Sequence, residues 1–292
     1  MNIRPAFANH VPAAEPPPLA QIITVMQDAH GRDLSLFDET FLTKSLLRLL
    51  EATTLANWPA YADGLMQDYA EAEALYQSLH IDYSEFFRDP LVFALLEQVI
   101  LPRLAQQSGQ AGLRVWSAGC AAGQEAWSIA ILLEEQNAER EQPVPFRIFA
   151  TDSVEAVLAE AREGIYDAAP MQQLRLKHLG KYFTVTGDRY RISPALKSRV
   201  DFSVFDLLAE GTTSPVAAIY GDFDLVFCCN LLFYYRPAVR QRILDRIVRA
   251  LRPGGYCVTG AAEREIVARQ PGLKAVAPPA AVFQKRSTSR GE

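Results

Sequence analysis

Apolar residues recur at three- and four-residue spacing from about residue 19 to residue 80. Leu42, Leu46, Leu49 and Leu50 form one stripe, Tyr61, Leu65 and Tyr69 a second, and Ala72, Leu75 and Leu79 a third. That period lines up one side of a helix, and few β-branched runs interrupt it. The spacing predicts a small all-helical domain that, with a linker, covers residues 19–90. After Phe93 short apolar runs alternate with helical stretches, as parallel α/β structure requires. Leu113-Arg114-Val115-Trp116, Phe146 to Ala150, Phe223 to Phe227 and Tyr256 to Thr259 read as strands. Ala126 to Glu135, Val154 to Arg162 and Ala238 to Leu251 read as helices, the last ended by Pro253-Gly254-Gly255. One segment breaks the alternation. Tyr182 to Ile192 has period-two apolar residues on either side of Thr186-Gly187-Asp188, a β-hairpin signal. It predicts a small β-subdomain at about 180–200, inserted in an α/β domain over 91–285. Residues 1–18 hold Pro12, Pro16, Pro17 and Pro18 and read as a disordered tail, because proline removes donors and disfavours helix. Residues 286–292 read as a second tail.

Composition narrows the class. A chain of 292 residues with 49% apolar and 22% charged residues suits a soluble globular protein of one large or two ordinary domains. No run approaches the roughly 18 apolar residues of a membrane span, and Met1 to Pro5 lacks a signal-peptide core. A cytoplasmic location without membrane insertion is expected. Cys120, Cys228, Cys229 and Cys257 form no CxxC pair; they are expected to be reduced and mostly buried, with no metal site. The net charge of −5 is uneven: residues 1–90 carry 5 basic and 13 acidic side chains, the remainder 24 and 21. So acidic an N-terminal third speaks against nucleic acid as its partner.

Four short segments could carry chemistry. Ser117 to Glu125 follows a strand and opens a helix, and its small residues permit close backbone approach to a ligand near free N–H groups; it reads equally as a tight strand-to-helix turn. Asp152, at the end of Ala150-Thr151-Asp152, can accept hydrogen bonds from a ribose diol, or serve as an N-cap. The Gly119-to-Asp152 spacing exceeds the ~20 residues of a compact dinucleotide fingerprint. Cys228-Cys229-Asn230 to Tyr235 lies where open α/β sheets bind ligands, although Phe233 is equally a core residue. Ser84-Glu85-Phe86-Phe87-Arg88 joins the two regions, and Arg88 by itself reads as a solvated cation paired with Asp89 or Glu85.

Together these segments resemble the CheR-type protein-glutamate methyltransferases of bacterial chemosensory systems, over residues 35 to 285. The shared motifs are Phe86-Phe87-Arg88, Trp116 to Glu125, Ala150 to Asp152, Cys228-Cys229-Asn230 with Tyr234, and Leu251 to Tyr256. The resemblance implies a Rossmann-like S-adenosylmethionine-dependent methyltransferase domain with a small β-subdomain insertion, preceded by a small all-helical domain. It implies that Ser84, Phe86 and Arg88 lie at the cofactor's reactive end, Gly119 and Glu125 line the pocket, and Asp152 holds the ribose. Asp206 and Leu207 flank the adenine, and Asn230, Leu231 and Tyr234 complete the pocket near the methyl group. Arg88 and Tyr234 are the implied catalytic residues, S-adenosylhomocysteine the implied product, and a chemoreceptor-like or other signalling protein the implied substrate.

Particular residues depart from the family pattern. Gln124 and Cys229 stand where the family has Glu and Arg, and Ser84 where it has Thr. Phe41 to Leu50 offers only Lys44 and Arg48 as cations, four apart and so on one helix face, in a region whose net charge repels an acidic receptor helix. The hairpin at Gly187 is short, which predicts no tethering of a receptor's C-terminal peptide. Two alternatives share the pocket: a cofactor-binding regulatory module with little turnover, and a methyltransferase of a small acid.

Overall fold

The computed structural model describes residues 16–52, 57–79, 84–108, 111–211, 214, 215, 218 and 222–287. The predicted tails therefore lie almost wholly outside the described residues. The chain divides into two compact units, residues 1–81 with Tyr234–Arg236, and residues 82–233 with 237–292.

The first unit is helical: α1 (Leu19–His30), α2 (Glu39–Ala52), α3 (Trp58–Gln67) and α4 (Tyr69–Ser78). Local chemistry sets their ends. Gly31, with φ +64°, closes α1. Asn57 caps α3 through Ala60 N–H, and Asp68 caps α4 through Ala70 N–H. The core gathers Ile22, Met26, Leu42, Leu46, Tyr61, Leu65, Leu75 and Leu79. Tyr69 is 61% exposed, contrary to its place in the Tyr61-Leu65-Tyr69 stripe. The reason is the break at Asp68: a new helix starts there, so the period does not carry across it. Lys44 and Arg48 are both exposed. Tyr234–Arg236 completes this unit: Tyr235 bridges to Phe37, and the Tyr234 ring lies 4.8 Å from that of Phe41.

The second unit opens with α5 (Pro90–Leu95), capped by Asp89, which continues through a π-helical turn at Leu96–Ile100 into α6 (Leu101–Ser108). The α/β alternation follows: β1 (Leu113–Ala118), α7 (Gln124–Ala138), β2 (Phe146–Asp152) and α8 (Glu155–Glu163). Next come β3 (Ile165–Tyr166), α9 (Leu176–Tyr182), β4 (Phe183–Thr186), β5 (Arg189–Ile192), α10 (Pro194–Lys197) and β6 (Val200–Val204). The unit ends with β7 (Phe223–Cys228), α11 (Pro237–Ala250), β8 (Leu251–Thr259), α12 (Arg264–Ala268), β9 (Leu273–Ala275) and β10 (Val282–Lys285). Among the described residues the main sheet has the order β6-β2-β1-β7-β8-β10-β9, with β10 antiparallel to both of its neighbours. Every residue of β7 is buried, as expected for a central parallel strand covered on both faces. Its one acid, Asp224, accepts from Arg114 N–H and pairs with Arg252 at 2.5 Å. Most of α7 is also buried.

This is the predicted Rossmann-like α/β architecture, with the predicted antiparallel insertion. Gly187, with φ +61°, turns the β4–β5 hairpin. The small sheet begins earlier than the sequence indicated, because the two-residue β3 also pairs with β5; a strand that short has no readable period. No helix among the described residues is long and apolar enough to cross a membrane. All four cysteines are free thiols, and Cys229 alone is not fully buried.

Candidate cofactor site

The sheet order sets four strand ends side by side. From β1 the chain winds toward β2 and β6, and later toward β7 and β8 on the other side. That reversal opens a crevice beyond the carboxyl ends of the strands. Gly119 follows β1, Asp152 ends β2, Asp206 and Leu207 follow β6, and Asn230 and Leu231 follow β7. Gly119 has φ +75°, and a Cβ there would meet the Leu231 side chain at 3.4 Å, so these two turns approach closely. Asp152 Oδ2 accepts from Ala121 N–H at 3.0 Å and Oδ1 from Val154 N–H at 3.1 Å. Asp152 is thus not the N-cap of α8, a place that Val154 takes. The amides of Gly119 and Cys120 both donate to the Thr151 carbonyl, at 2.8 and 2.9 Å. Three successive N–H groups therefore fasten the glycine-rich turn to β2. Phe205 N–H donates to the Asp152 carbonyl, and the Arg246 guanidinium donates to the carbonyls of Asp206 and Ala209, which holds the β6 end beside β2.

Glu125 is the electrostatic centre of this region. Burial of its carboxyl group raises the pKa to about 7, against hydrogen bonds from Ser117 and Cys229 that lower it. The Ser117 hydroxyl donates at 2.6 Å. The nearby Glu263 carboxylate adds to the rise, and the Arg88 charge opposes it. Burial and the carboxylates of Glu125 and Glu263 push the Cys229 thiol well above its ordinary range. Cys229 is therefore a neutral thiol beside Glu125, with its Sγ 3.7 Å from the Val258 carbonyl.

The segment before α5 is bent by strain. Phe87 has φ +53°, a region that bulky side chains avoid at a cost of about 1–3 kcal/mol. Its N–H donates to Ser128 Oγ at 2.9 Å, and that hydroxyl donates to the Gln124 carbonyl. The bend is thereby tied to the start of α7. Arg88 is exposed and Ser84 half-buried. Phe86 is the most enclosed of the residues in this segment. Its ring is fully enclosed, edge-on to Tyr166 at 5.0 Å and to Phe183 at 5.4 Å. It packs into the β-subdomain. Tyr234 belongs to the helical unit, where its carbonyl accepts from Asp38 N–H at 2.8 Å.

Residues 82–276 match the family model for the CheR methyltransferase, SAM binding domain. The chain belongs to this family. Chemotaxis protein methyltransferase 1 of Pseudomonas aeruginosa is 37% identical over 182 residues, covering 61% of this chain and 64% of that one. The chemotaxis protein methyltransferase of Escherichia coli is 33% identical over 224 residues, covering 75% and 74%. That of Listeria innocua is 29% identical over 234 residues, covering 80% and 85%. The chain thus spans under two thirds of the Pseudomonas aeruginosa relative.

The residues present fit the family's cofactor. The Gly119 turn offers backbone without a Cβ, and carboxylates stand near it at Glu125 and Asp152, suited to an ammonium group and a ribose diol. Two side chains of the CheR-family domain were missed by sequence reasoning. Ser117 reads in sequence only as part of the turn, although a strand-end hydroxyl ahead of the next helix is a signal. Glu263 lies outside every motif the sequence shows. It is completely buried, and its carboxylate accepts from the amides of Asn230, Leu231, Leu232 and Gly260. The one local signal was Gly260-Ala261-Ala262-Glu263, an acid three residues after a helix start.

Proposed function

We propose that the chain is an S-adenosylmethionine-dependent methyltransferase that forms methyl esters on glutamate side chains of a chemoreceptor-like or other signalling protein. The observation that carries this reading is the row of strand ends, Gly119, Asp152, Asp206 and Asn230, inside the span that matches the family model. In this reading Asp152 holds the ribose hydroxyls, and Asp206 and Leu207 flank the adenine. Glu125 meets the ammonium of the amino-acid end. Ser84, Asn230 and Leu231 complete the pocket.

When bound, S-adenosylmethionine supplies an electrophilic sulfonium methyl and leaves as S-adenosylhomocysteine. A glutamate substrate is already ionised at neutral pH, with a reference pKa of about 4.3, so no side chain has to remove a proton. What the protein must do is orient the carboxylate and keep water away. Arg88, whose charge reaches Glu125, can orient a carboxylate by charge-assisted hydrogen bonds.

The test is methyl transfer from labelled S-adenosylmethionine to a cell lysate. Base-labile label in protein supports the reading, with loss of label in Arg88→Ala or Tyr234→Phe while S-adenosylhomocysteine binding persists. Label only in low-mass material turns the substrate into a small acid. A second reading is favoured by Cys229, which puts a neutral thiol near Glu125 where the family has Arg. It is a cofactor-binding module with little turnover, and binding without any label would establish it. No binding, with Asp152→Ala indistinguishable from wild type, refutes both.

A further inference from the structure

Glu263 lies immediately outside the residues assigned above, its side chain fully buried on the turn between β8 and α12. Oε1 accepts from Leu231 N–H at 2.7 Å and Leu232 N–H at 2.5 Å. Oε2 accepts from Asn230 N–H at 2.7 Å and Gly260 N–H at 3.1 Å, and lies 2.9 Å from the Thr259 hydroxyl. One carboxylate thus collects three consecutive amides of the loop after β7. These amides lead into a short helical turn at Leu232–Tyr234, and without an acceptor they would be left buried and unpaired. The loop also needs it for its shape. Asn230 has φ +57°, a left-handed conformation that L side chains enter at a cost.

A second observation points the same way. Gly260 has an ordinary negative φ of −67°, so its backbone does not require glycine. Its surroundings do: a Cβ would stand 2.6 Å from Asn230 Nδ2 and 3.1 Å from Asn230 N. The start of the turn that bears Glu263 is therefore pressed against Asn230 itself. Leu231, the next residue, packs toward Gly119 across the crevice. Displacement of the loop moves both faces of the pocket.

We propose that Glu263 is a positioning residue that sets the backbone of Asn230–Leu232 in its cofactor-binding conformation. The proposal rests on the cofactor site assigned above. Glu263 touches no reacting atom; it acts through the loop.

Glu263→Gln is the decisive variant. A glutamine has one carbonyl oxygen, and whichever position its NH2 takes then faces two backbone N–H donors. Titration calorimetry with S-adenosylhomocysteine should show Kd weakened by about tenfold or more, the scale of at least one lost buried hydrogen bond. Hydrogen exchange of the 230–232 amides should accelerate selectively, and in turnover the KM for S-adenosylmethionine should rise with kcat nearly unchanged. Val267→Ala controls for stability. Val267 is fully buried in α12 and has no side-chain donor or acceptor, so its loss should lower Tm with Kd within twofold of wild type. Gly260→Ala is the second route if Glu263→Gln does not fold: it keeps the carboxylate, pushes Asn230, and should also weaken Kd. Unchanged Kd in a folded Glu263→Gln or Gly260→Ala protein overturns the proposal, as does equal weakening by Val267→Ala. A wild-type protein that binds no S-adenosylhomocysteine instead overturns the cofactor site from which the proposal starts.

Discussion

Glu125 makes cofactor affinity a function of pH. Its carboxyl group titrates at about 7 in the free protein, chiefly because burial penalises the charged form. If the ionised form meets the ligand's ammonium, the apparent Kd scales as one plus the ratio of protonated to ionised Glu125. Between pH 5.5 and 7.5 that factor falls from about 33 to about 1.3, so S-adenosylhomocysteine should bind roughly 25-fold more tightly at the higher pH. The ligand's own amino group, with a reference range of about 7.7–8.0, remains mostly charged over this window. Titration calorimetry in buffers of different ionisation enthalpy should also register about three quarters of a proton released on binding at pH 6.5. Glu125→Gln should flatten the profile and abolish the release. The stability of the free protein moves in the opposite sense. A carboxyl raised in the fold from 4.5 to about 7 binds a proton that the unfolded chain releases, so folding weakens as pH rises across that interval. A wild-type Kd that is flat from pH 5.5 to 7.5, or an identical slope in Glu125→Gln, would refute the assignment of Glu125 to the ammonium.

Three further outcomes follow from the packing. Burial alone would raise the pKa of Glu135, but hydrogen bonds from Lys177, Lys181 and Tyr182 hold it at about 2. That contribution is present above the unfolded value of 4.5 and is lost as pH falls toward 2. With both lysines about half exposed, Glu135→Gln should cost about 1–2 kcal/mol at pH 7 after allowance for screening, with the difference from wild type vanishing in urea melts near pH 2. Gly123 has φ +90°, and a Cβ there would stand 2.8 Å from Ala161 Cβ, so Gly123→Ala should lose about 2–4 kcal/mol in calorimetric melts. Phe86→Ala should lose about 3–5 kcal/mol by urea titration, yet leave the S-adenosylhomocysteine Kd of the folded protein within threefold of wild type; a large change in Kd would put the Phe86 ring at the cofactor.

Much of the architecture was legible along the chain because its causes are local. The 3.6-residue period of the leucines, the apolar runs at Leu113, Phe146 and Phe223, and the Gly187 hairpin each follow from a few neighbouring residues. So does the glycine-rich turn, whose left-handed Gly119 and Gly123 a sequence can announce. Tyr69 escaped because Asp68 restarts the helix, and β3 and β9 because two or three residues carry no period. Phe86 stood beside the Phe87–Arg88 bend in the motif, but only packing against Tyr166 and Phe183 shows which way its ring points. The site residues themselves divide by the same rule. Asp152 and Asn230 are marked by the strands they follow, whereas the raised pKa of Glu125 comes chiefly from burial, with Glu263, 138 positions away in sequence, adding to it and Cys229, 104 away, opposing it. Sequence thus determined where the strand ends fall and which residue types stand there. Tertiary structure decided their protonation and the conformation of the loop after β7, because burial and long-range hydrogen bonds exist only once the sheet has formed.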